Sequence, residues 1–156
     1  MIRIAIPGFK NLSLEHLLLD FNGTLAVDGK LMPGIHERLC SLATQLKIHV
    51  LTADTFGHAR EALQNLPVAL TVLEPQQQAE AKRDYLQALA PDQVVAIGNG
   101  RNDRLMLQVA ALGMAVSSLE GTAVEALLAA HLYLPTVHEA LDTLESPQRL
   151  IATLRD

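Results

Sequence analysis

Along most of this chain, short apolar runs alternate with segments whose apolar residues repeat at helical spacing. The runs lie at 15–20, 48–52, 69–73, 93–97, 113–117 and 131–134, and the helical patterns lie at 35–46, 57–65, 78–89, 106–112, 121–130, 137–144 and 147–154. Strands that are joined by single helices form a parallel sheet through right-handed crossovers. The pattern therefore predicts an α/β fold, a three-layer α/β/α and Rossmann-like arrangement with a mostly parallel central sheet.

Two segments depart from this alternation. Residues 1–6 carry apolar side chains at alternate positions and end at Pro7-Gly8, which predicts a short strand at an edge of the fold. Residues 25–31 contain the dipeptide Asp28-Gly29, which is typical of a tight β-hairpin. We expect this hairpin to form a small flap, with Asp28 as a turn residue.

The composition excludes several classes of protein. The 156 residues are 49% hydrophobic, which is enough to bury the core of one domain over 1–156. A net charge of −5 without any Lys/Arg run argues against a nucleic-acid partner. No segment approaches the roughly 18 apolar residues of a membrane span, so we expect no membrane partner. Cys40 stands alone and residues 1–8 are too short for a secretory h-region, so we expect a reducing, cytoplasmic location.

The run at 15–20 stops at a carboxylate, Asp20, and the chain then turns through Asn22-Gly23-Thr24. In open parallel sheets the ligand crevice lies at the carboxyl ends of the strands, so Asp20 should face a site rather than the core. A carboxylate there can act as a nucleophile, while the turn amides and the Thr24 hydroxyl can hold phosphate oxygens. Taken alone, the pentapeptide DFNGT is also explained by ordinary turn chemistry.

Two other predicted strands also end in polar residues. Thr52 closes one of them, the loop 98–103 follows another, and Lys82 lies near the start of the helix between them. Phosphoryl transfer requires a nucleophile, donors for the phosphoryl oxygens, a cation and carboxylates that hold Mg²⁺. Alone, Thr52 would be a strand-end hydroxyl and Lys82 a solvated lysine. Their occurrence together with Asp20 in this order favours a phosphoryl-transfer site.

Four segments, in order, resemble the motifs of the haloacid dehalogenase (HAD) superfamily of aspartate-nucleophile phosphatases. DFNGT resembles the DKTGT of P-type ATPases, LTADT resembles their LTGDN, VVAIGNGRNDRLML resembles their VGDGxND segment, and GMAVSSLEGTAVEALLAAHLYL continues the match. The resemblance covers roughly 15–135 and looks closest to the phosphorylation domain of those ATPases, in a membrane-free form. It implies a HAD fold and a hydrolase that acts on phosphorylated substrates.

The resemblance also implies a role for each motif residue. Asp20 would be the phosphorylated nucleophile, and the catalytic set would be Asp20, Asn22, Thr52 and Lys82. The residues implied to bind phosphate are Gly23, Thr24, Thr52, Ala53, Lys82 and Asn102. Those implied to hold Mg²⁺ are Asp20, Asn22 through its main-chain carbonyl, Asn99 and Asp103.

Two of these residues depart from the pattern of the superfamily. Its phosphatases usually have Asp at the position of Asn22, where it protonates the leaving group and activates water. An amide cannot exchange protons in this role, and general acid–base catalysis is worth roughly 10²–10⁴-fold. The nearest substitute in the sequence is Asp54. Asn99 stands where the superfamily has the first Asp of its metal loop, so Mg²⁺ should bind more weakly.

The spacing of the motifs bears on the substrate. Only 31 residues separate Asp20 from Thr52, and only 29 separate Thr52 from Lys82, so neither interval holds a cap domain. A capless site is open. A phosphorylated substrate, either a small molecule or a macromolecule, or a neighbouring copy in a homo-oligomer must then supply the missing wall.

Two functions remain open. The first is an Mg²⁺-dependent phosphatase or phosphotransferase that works slowly through an aspartyl phosphate on Asp20. The alternative is a catalytically weak binding or regulatory protein with the same fold. Asn22 and Asn99 favour the alternative, whereas Asp20, Thr52, Lys82 and Asp103 favour the enzyme.

Overall fold

The computed structural model describes residues 1–54 and 57–156. The strands are β1 (Ile2–Ala5), β2 (Asn11–Leu14), β3 (His16–Asp20), β4 (Ala26–Val27), β5 (Lys30–Leu31), β6 (Lys47–Thr52), β7 (Val68–Val72), β8 (Val94–Gly98), β9 (Leu112–Val116) and β10 (Leu132–Leu134). The helices are α1 (Ile35–Leu42), α2 (His58–Leu63), α3 (Gln78–Ala88), α4 (Arg104–Val109), α5 (Val124–Ala129), α6 (Val137–Glu145) and α7 (Pro147–Leu154). Thr55, the last residue of LTADT, lies outside the described residues.

The central sheet has six strands in the order β10-β9-β8-β3-β6-β7. Every neighbouring pair is parallel, which confirms the predicted α/β class. From β3 the chain proceeds to β6 and β7 on one side, and from β8 it proceeds to β9 and β10 on the other. The strand order therefore reverses between β3 and β8, and an open sheet places its ligand crevice at such a point.

Helices cover both faces of this sheet. On one face, strand residues such as Leu19, Val50 and Ile97 pack in one apolar cluster with residues of α1, α2, α6 and α7. On the other, Leu18 and Ala96 pack with residues of α3, α4 and α5. Alternate side chains of a strand point to opposite faces, so the strand interiors are apolar on both sides. This is the three-layer arrangement that the sequence predicts.

The amino-terminal segment forms the short strand that the sequence predicts, and only its place in the fold differs. β1 does not join the central sheet at an edge. It forms a separate antiparallel ribbon with β2, in which Ile2 lies opposite Leu14. The four residues of β2 alternate exposed and buried positions, and they lie immediately before β3. This short alternation runs directly into the leucine run of β3, so the sequence pattern does not separate β2 from it.

The predicted flap is confirmed as a two-stranded hairpin of β4 and β5. Asp28 and Gly29 have φ angles of 51° and 74°. Two successive residues with positive φ are required by the tight turn that matches strand twist, and the Asp-Gly dipeptide tolerates it well. Among residues 1–54 and 57–156, no helix combines the length and apolarity needed to cross a membrane.

Candidate active site

The site lies at the carboxyl ends of three adjacent strands. Asp20 ends β3, Thr52 ends β6, and Asn99 follows β8 directly. Because β3 lies between β6 and β8, the sheet itself brings the three motifs to one edge. These three side chains are nearly buried, with exposed fractions of 6%, 2% and 6%.

A lysine ammonium lies between two carboxylates at the centre of the site. Lys82 Nζ donates to Asp20 Oδ1 at 2.6 Å and to Asp103 Oδ1 at 2.6 Å. Lys82 and Asp103 are fully buried. Lys82 lies on α3, which packs over the same face of the sheet as α4. Helix α3 thus places the Lys82 ammonium at the strand ends.

Asp103 is held rigidly by the loop that precedes α4. Its Oδ2 accepts hydrogen bonds from the backbone amides of Asn99 at 3.0 Å and Gly100 at 2.8 Å. Gly98 leaves room for this carboxylate, since a Cβ on Gly98 would lie 2.5 Å from Asp103 Cγ. Both oxygens of Asp103 are therefore engaged, one by Lys82 and one by the backbone.

Thr24 links Asp20 to Asn99. Its buried hydroxyl lies 3.3 Å from Asp20 Oδ2 and 3.2 Å from Asn99 Oδ1, and its single proton can serve one acceptor at a time. The amide of Gly23 donates to the Ala26 carbonyl at 2.8 Å. This amide holds the turn closed, so a phosphate contact from Gly23 would compete with a bond that the turn already makes.

Thr52 contacts Asn22 rather than Asp20 directly. Asn22 Nδ2 lies 3.4 Å from Thr52 Oγ1, which also accepts from the Asp54 amide at 3.2 Å. The Asp54 carboxylate accepts from the amides of Ala59 and Arg60, so it caps the start of α2. Asp54 is thereby engaged in a structural role, as the cap of a helix that was not predicted to begin with it.

The remaining predicted phosphate-binding residues lie at the border of this cluster. Asn102 Nδ2 donates to Gln78 Oε1 at 2.8 Å, which ties the loop after β8 to the first turn of α3. Ala53 is half-buried directly after Thr52. Of the predicted residues, Asp20, Thr24, Lys82, Asn99 and Asp103 form one continuous set of polar contacts.

One residue that sequence reasoning passed over reaches the same turn. Glu120 Oε2 lies 2.7 Å from the point where a Cβ on Gly23 would stand, and Asn99 Nδ2 lies 2.6 Å from that point. The loop that carries Glu120 follows β9 and is bound to Asn99 through the Gly121 carbonyl. Its sequence, SSLEG, indicates a turn and carries no signal of a site.

Burial and neighbouring charges shift the pKa values of Asp20 and Lys82. Burial, together with the nearby Asp103 carboxylate, raises the pKa of Asp20 from 3.8 to about 7, although Lys82 acts in the opposite direction. Burial disfavours the charged form of Lys82, but the two carboxylates outweigh it and raise the Lys82 pKa above its usual value. Lys82 therefore stays an ammonium, and Asp20 is the group that takes up a proton.

The oxygen ligands at this edge suit a hard divalent cation. Asp20, Asp103, Asn99 and the Asn22 carbonyl offer only oxygen, which Mg²⁺ prefers to nitrogen or sulfur. Within the described part of the chain, no cluster of three or more His, Cys, Asp or Glu side chains could hold a metal by itself. The ligand atoms that these residues offer therefore suit Mg²⁺. Two acidic side chains, Asp20 and Asp103, contact the same Lys82 ammonium, and among residues 1–54 and 57–156 there is no third acidic side chain in that contact.

As the pH rises, Asp20→Asn should gain stability relative to the unchanged, cation-free protein. The raised pKa means that ionised Asp20 destabilises the fold, a cost that is absent below about pH 4, grows up to about pH 7 and is complete above it. We expect the stability advantage of Asp20→Asn to grow by roughly 1–3 kcal/mol between pH 5 and pH 8. Urea unfolding in the presence of EDTA would measure it.

The matched control is Asp84→Asn, which removes an exposed carboxylate from the same helix as Lys82. Its effect on stability should be small at both pH values, because exposed ion pairs contribute little. An advantage of Asp20→Asn that shrinks as the pH rises would show that the ionised carboxylate is stabilising and that this account of the site is wrong.

No protein-family model matches the chain. Two uncharacterized proteins from Methanocaldococcus jannaschii are similar in sequence. MJ0073 is 41% identical over 63 residues, which are 40% of this chain and 68% of that protein. MJ0072 is 51% identical over 39 residues, which are 25% of this chain and 89% of that protein.

Solved structures of HAD-like proteins have the same fold. The cobalt-bound deoxy-D-mannose-octulosonate 8-phosphate phosphatase (YrbI) from Haemophilus influenzae gives a TM-score of 0.71 at 13% identity, covering 92% of this chain and 94% of its own. A 3-deoxy-D-manno-octulosonate 8-phosphate phosphatase from Moraxella catarrhalis, in complex with magnesium, phosphate and KDO, gives 0.66 at 13% identity, covering 90% of both chains. A haloacid dehalogenase-like hydrolase from Streptococcus pneumoniae gives 0.63 at 14% identity, covering 83% of this chain and 97% of its own.

The solved structures are 13–14% identical to this chain, so their likeness shows the fold alone. The similarity in sequence is to the two archaeal proteins. The chain thus belongs to one family with MJ0073 and MJ0072, and its fold is that of the HAD superfamily of hydrolases.

Proposed function

We propose that this protein is an Mg²⁺-dependent phosphatase or phosphotransferase that acts through an aspartyl phosphate on Asp20. The observation that carries the proposal is the buried contact of Lys82 with both Asp20 and Asp103 at the point where the strand order reverses. A buried ammonium between two carboxylates is a costly arrangement for stability alone, and such clusters occur preferentially at functional sites.

The contacts of Asp20 favour one of its oxygens as the attacking atom. Lys82 holds Oδ1, whereas Oδ2 lies near the Thr24 hydroxyl, whose single proton is shared with Asn99. In the proposed first step Oδ2 forms a bond to phosphorus, and the bond between phosphorus and the leaving-group oxygen breaks. That oxygen takes a proton from water. In the second step water attacks the same phosphorus, which releases inorganic phosphate and restores the Asp20 carboxylate.

Mg²⁺ would be held by Asp20, Asp103, Asn99 and the Asn22 carbonyl. When bound it would neutralise charge on the phosphoryl oxygens, as divalent cations do in such reactions. Lys82 contributes a second positive charge and keeps the two carboxylates apart. Thr52 places a hydroxyl beside the Asn22 side chain in the same turn.

Two of the neighbouring structures are named as phosphatases of an octulosonate 8-phosphate. For this chain we propose only that the substrate is a phosphorylated compound, because the intervals between the motifs hold a two-stranded flap and single helices rather than a cap. The site is therefore open enough for a small molecule or a macromolecule.

The alternative function is that of a catalytically weak binding or regulatory protein. Asn22 is the observation that favours it, since its amide lies beside Thr52 where a proton donor would serve the leaving group. With Asp54 engaged in the cap of α2, it cannot readily replace that donor. We infer that the enzyme turns over slowly for this reason.

Beryllium fluoride, which mimics an aspartyl phosphate, should bind the protein in the presence of Mg²⁺. Binding should be lost in Asp20→Asn, because the amide cannot coordinate beryllium as a carboxylate does. Fluorine NMR would measure both. Asp28→Asn removes a carboxylate from the hairpin turn and serves as the control that retains binding. Equal binding by Asp20→Asn and the unchanged protein would refute Asp20 as the phosphorylated residue.

Asn22→Asp should raise steady-state hydrolysis of p-nitrophenyl phosphate by up to roughly 10²-fold. The two side chains have the same shape, and the contact with Thr52 would reverse its direction, with the Thr52 hydroxyl donating to the new carboxylate. Asn65→Asp, a change at an exposed position after α2, controls for the added charge. If Asn22→Asp hydrolyses no faster while beryllium fluoride still binds, the missing acid does not limit turnover, and the binding function becomes the better account.

We also propose that copies of this chain associate and that a neighbour covers part of the open site. Leu119, Val124 and Leu128 are 93%, 64% and 80% exposed, and they lie on or beside the loop that is bound to Asn99. Exposed apolar side chains grouped in this way commonly mark an interface. Light scattering at tens of micromolar should give a mass above 16.9 kDa, and Leu128→Lys should lower it. A monomer at every concentration would refute association.

A further inference from the structure

Asn99 donates a hydrogen bond that an aspartate at this position could not donate. Its Nδ2 donates to the Gly121 carbonyl at 3.0 Å, while its Oδ1 accepts from Thr24. Its own carbonyl accepts from the Ala123 amide at 2.8 Å. A carboxylate has no proton to donate to a carbonyl at neutral pH, so the amide at position 99 is what holds the loop after β9 to the site.

That loop is fixed by bonds of its own. The Gly121 amide donates to the Ser118 carbonyl, the Glu120 amide donates to Ser118 Oγ, and Thr122 Oγ1 donates to the Val116 carbonyl. The turn and its two attachments to Asn99 direct the Glu120 side chain towards the turn that follows Asp20.

The Glu120 carboxylate lies against Gly23. A Cβ at Gly23 would meet Glu120 Oε2 at 2.7 Å, so the carboxylate can approach only because this position is glycine. The carbonyl directly before Gly23 is that of Asn22, which the proposed function assigns to Mg²⁺. Glu120 thus brings a carboxylate beside Gly23, the residue that follows Asn22, while Glu120 itself is exposed to solvent.

The charges of the buried cluster leave room for a further carboxylate such as that of Glu120. Asp20 and Asp103 together carry two negative charges, and Lys82 offsets one of them, so the buried cluster holds a net charge of −1 when both are ionised. Asp103 has both oxygens engaged already. With an amide at position 99, the buried cluster alone presents little negative charge to a doubly charged cation.

We infer that Glu120 supplies the carboxylate that position 99 lacks and completes the divalent cation site. This inference rests on the proposed function, because it concerns the same cation. The carboxylate that the superfamily has on the loop after β8 is supplied here from the loop after β9. Asn99 holds the loop after β9 in place. Glu120 is therefore a cation-binding residue, and Asn99 also acts as a positioning residue for it.

Titration of the substrate-free protein with Mn²⁺, followed by electron paramagnetic resonance, tests this inference without measuring activity. Glu120→Gln keeps the shape of the side chain and should weaken Mn²⁺ binding by roughly 10-fold, the lower end of the effect of losing a supporting group at a metal site. Glu125→Gln is the matched control, since Glu125 pairs with Arg101 on the exposed surface nearby. It should change the affinity less than about 2-fold, as expected of a surface charge. Mg²⁺ should displace the Mn²⁺ in each protein.

The outcomes separate this inference from the proposed function. If the unchanged protein and Glu120→Gln bind Mn²⁺ equally well, Glu120 is not part of the site, and the proposed function stands. If Glu120→Gln and Glu125→Gln weaken binding equally, only the general charge of this surface matters, and the inference is wrong. If the unchanged protein binds no Mn²⁺ at all, both the inference and the Mg²⁺-dependent function fail.

Discussion

The buried ammonium of Lys82 is the constraint on which the rest of the site depends. A charge without water needs close partners, and removing one partner of a buried ion pair typically costs about 3–5 kcal/mol. Here two carboxylates supply that partnership at 2.6 Å each. The end of β3 fixes one of them, and the loop after β8 fixes the other with two backbone amides. The end of β3, the loop after β8 and Gly98 together allow Lys82, Asp20 and Asp103 to stay in contact.

This arrangement favours binding over stability. Burial and the nearby Asp103 carboxylate raise the pKa of Asp20 to about 7 in the cation-free protein, so the charged form of Asp20 is disfavoured despite the Lys82 ammonium. An ion that binds only the folded state stabilises that state through its own binding free energy. The cluster is therefore better matched to a bound divalent cation than to an empty interior, and a cation would draw Asp20 back to the ionised form that a nucleophile requires.

Features that depend on short stretches of sequence could be predicted, and features that depend on distant contacts could not. The strands of the central sheet, the flap and the motif residues at the strand ends follow from apolar periodicity and turn chemistry, which are local. The cap that Asp54 makes was not predicted, because the backbone amide that donates to its carboxylate belongs to a helix residue five positions away. Glu120 was missed for a similar reason, since its approach to Gly23 spans 97 positions of the sequence. The strand β2 was missed because it adjoins a stronger apolar run.

The position of β3 between β6 and β8 has a consequence for the order of folding. Residues 16–20 pair with 47–51 on one side, and 16–19 pair with 94–97 on the other, so the strand that ends at Asp20 is not enclosed until both partners have arrived. Pairings between segments so far apart form late, because a long loop must close first. A nascent or partly unfolded chain consequently presents Asp20 without its ammonium and without Asp103. The proposed chemistry is thereby confined to molecules whose sheet is complete.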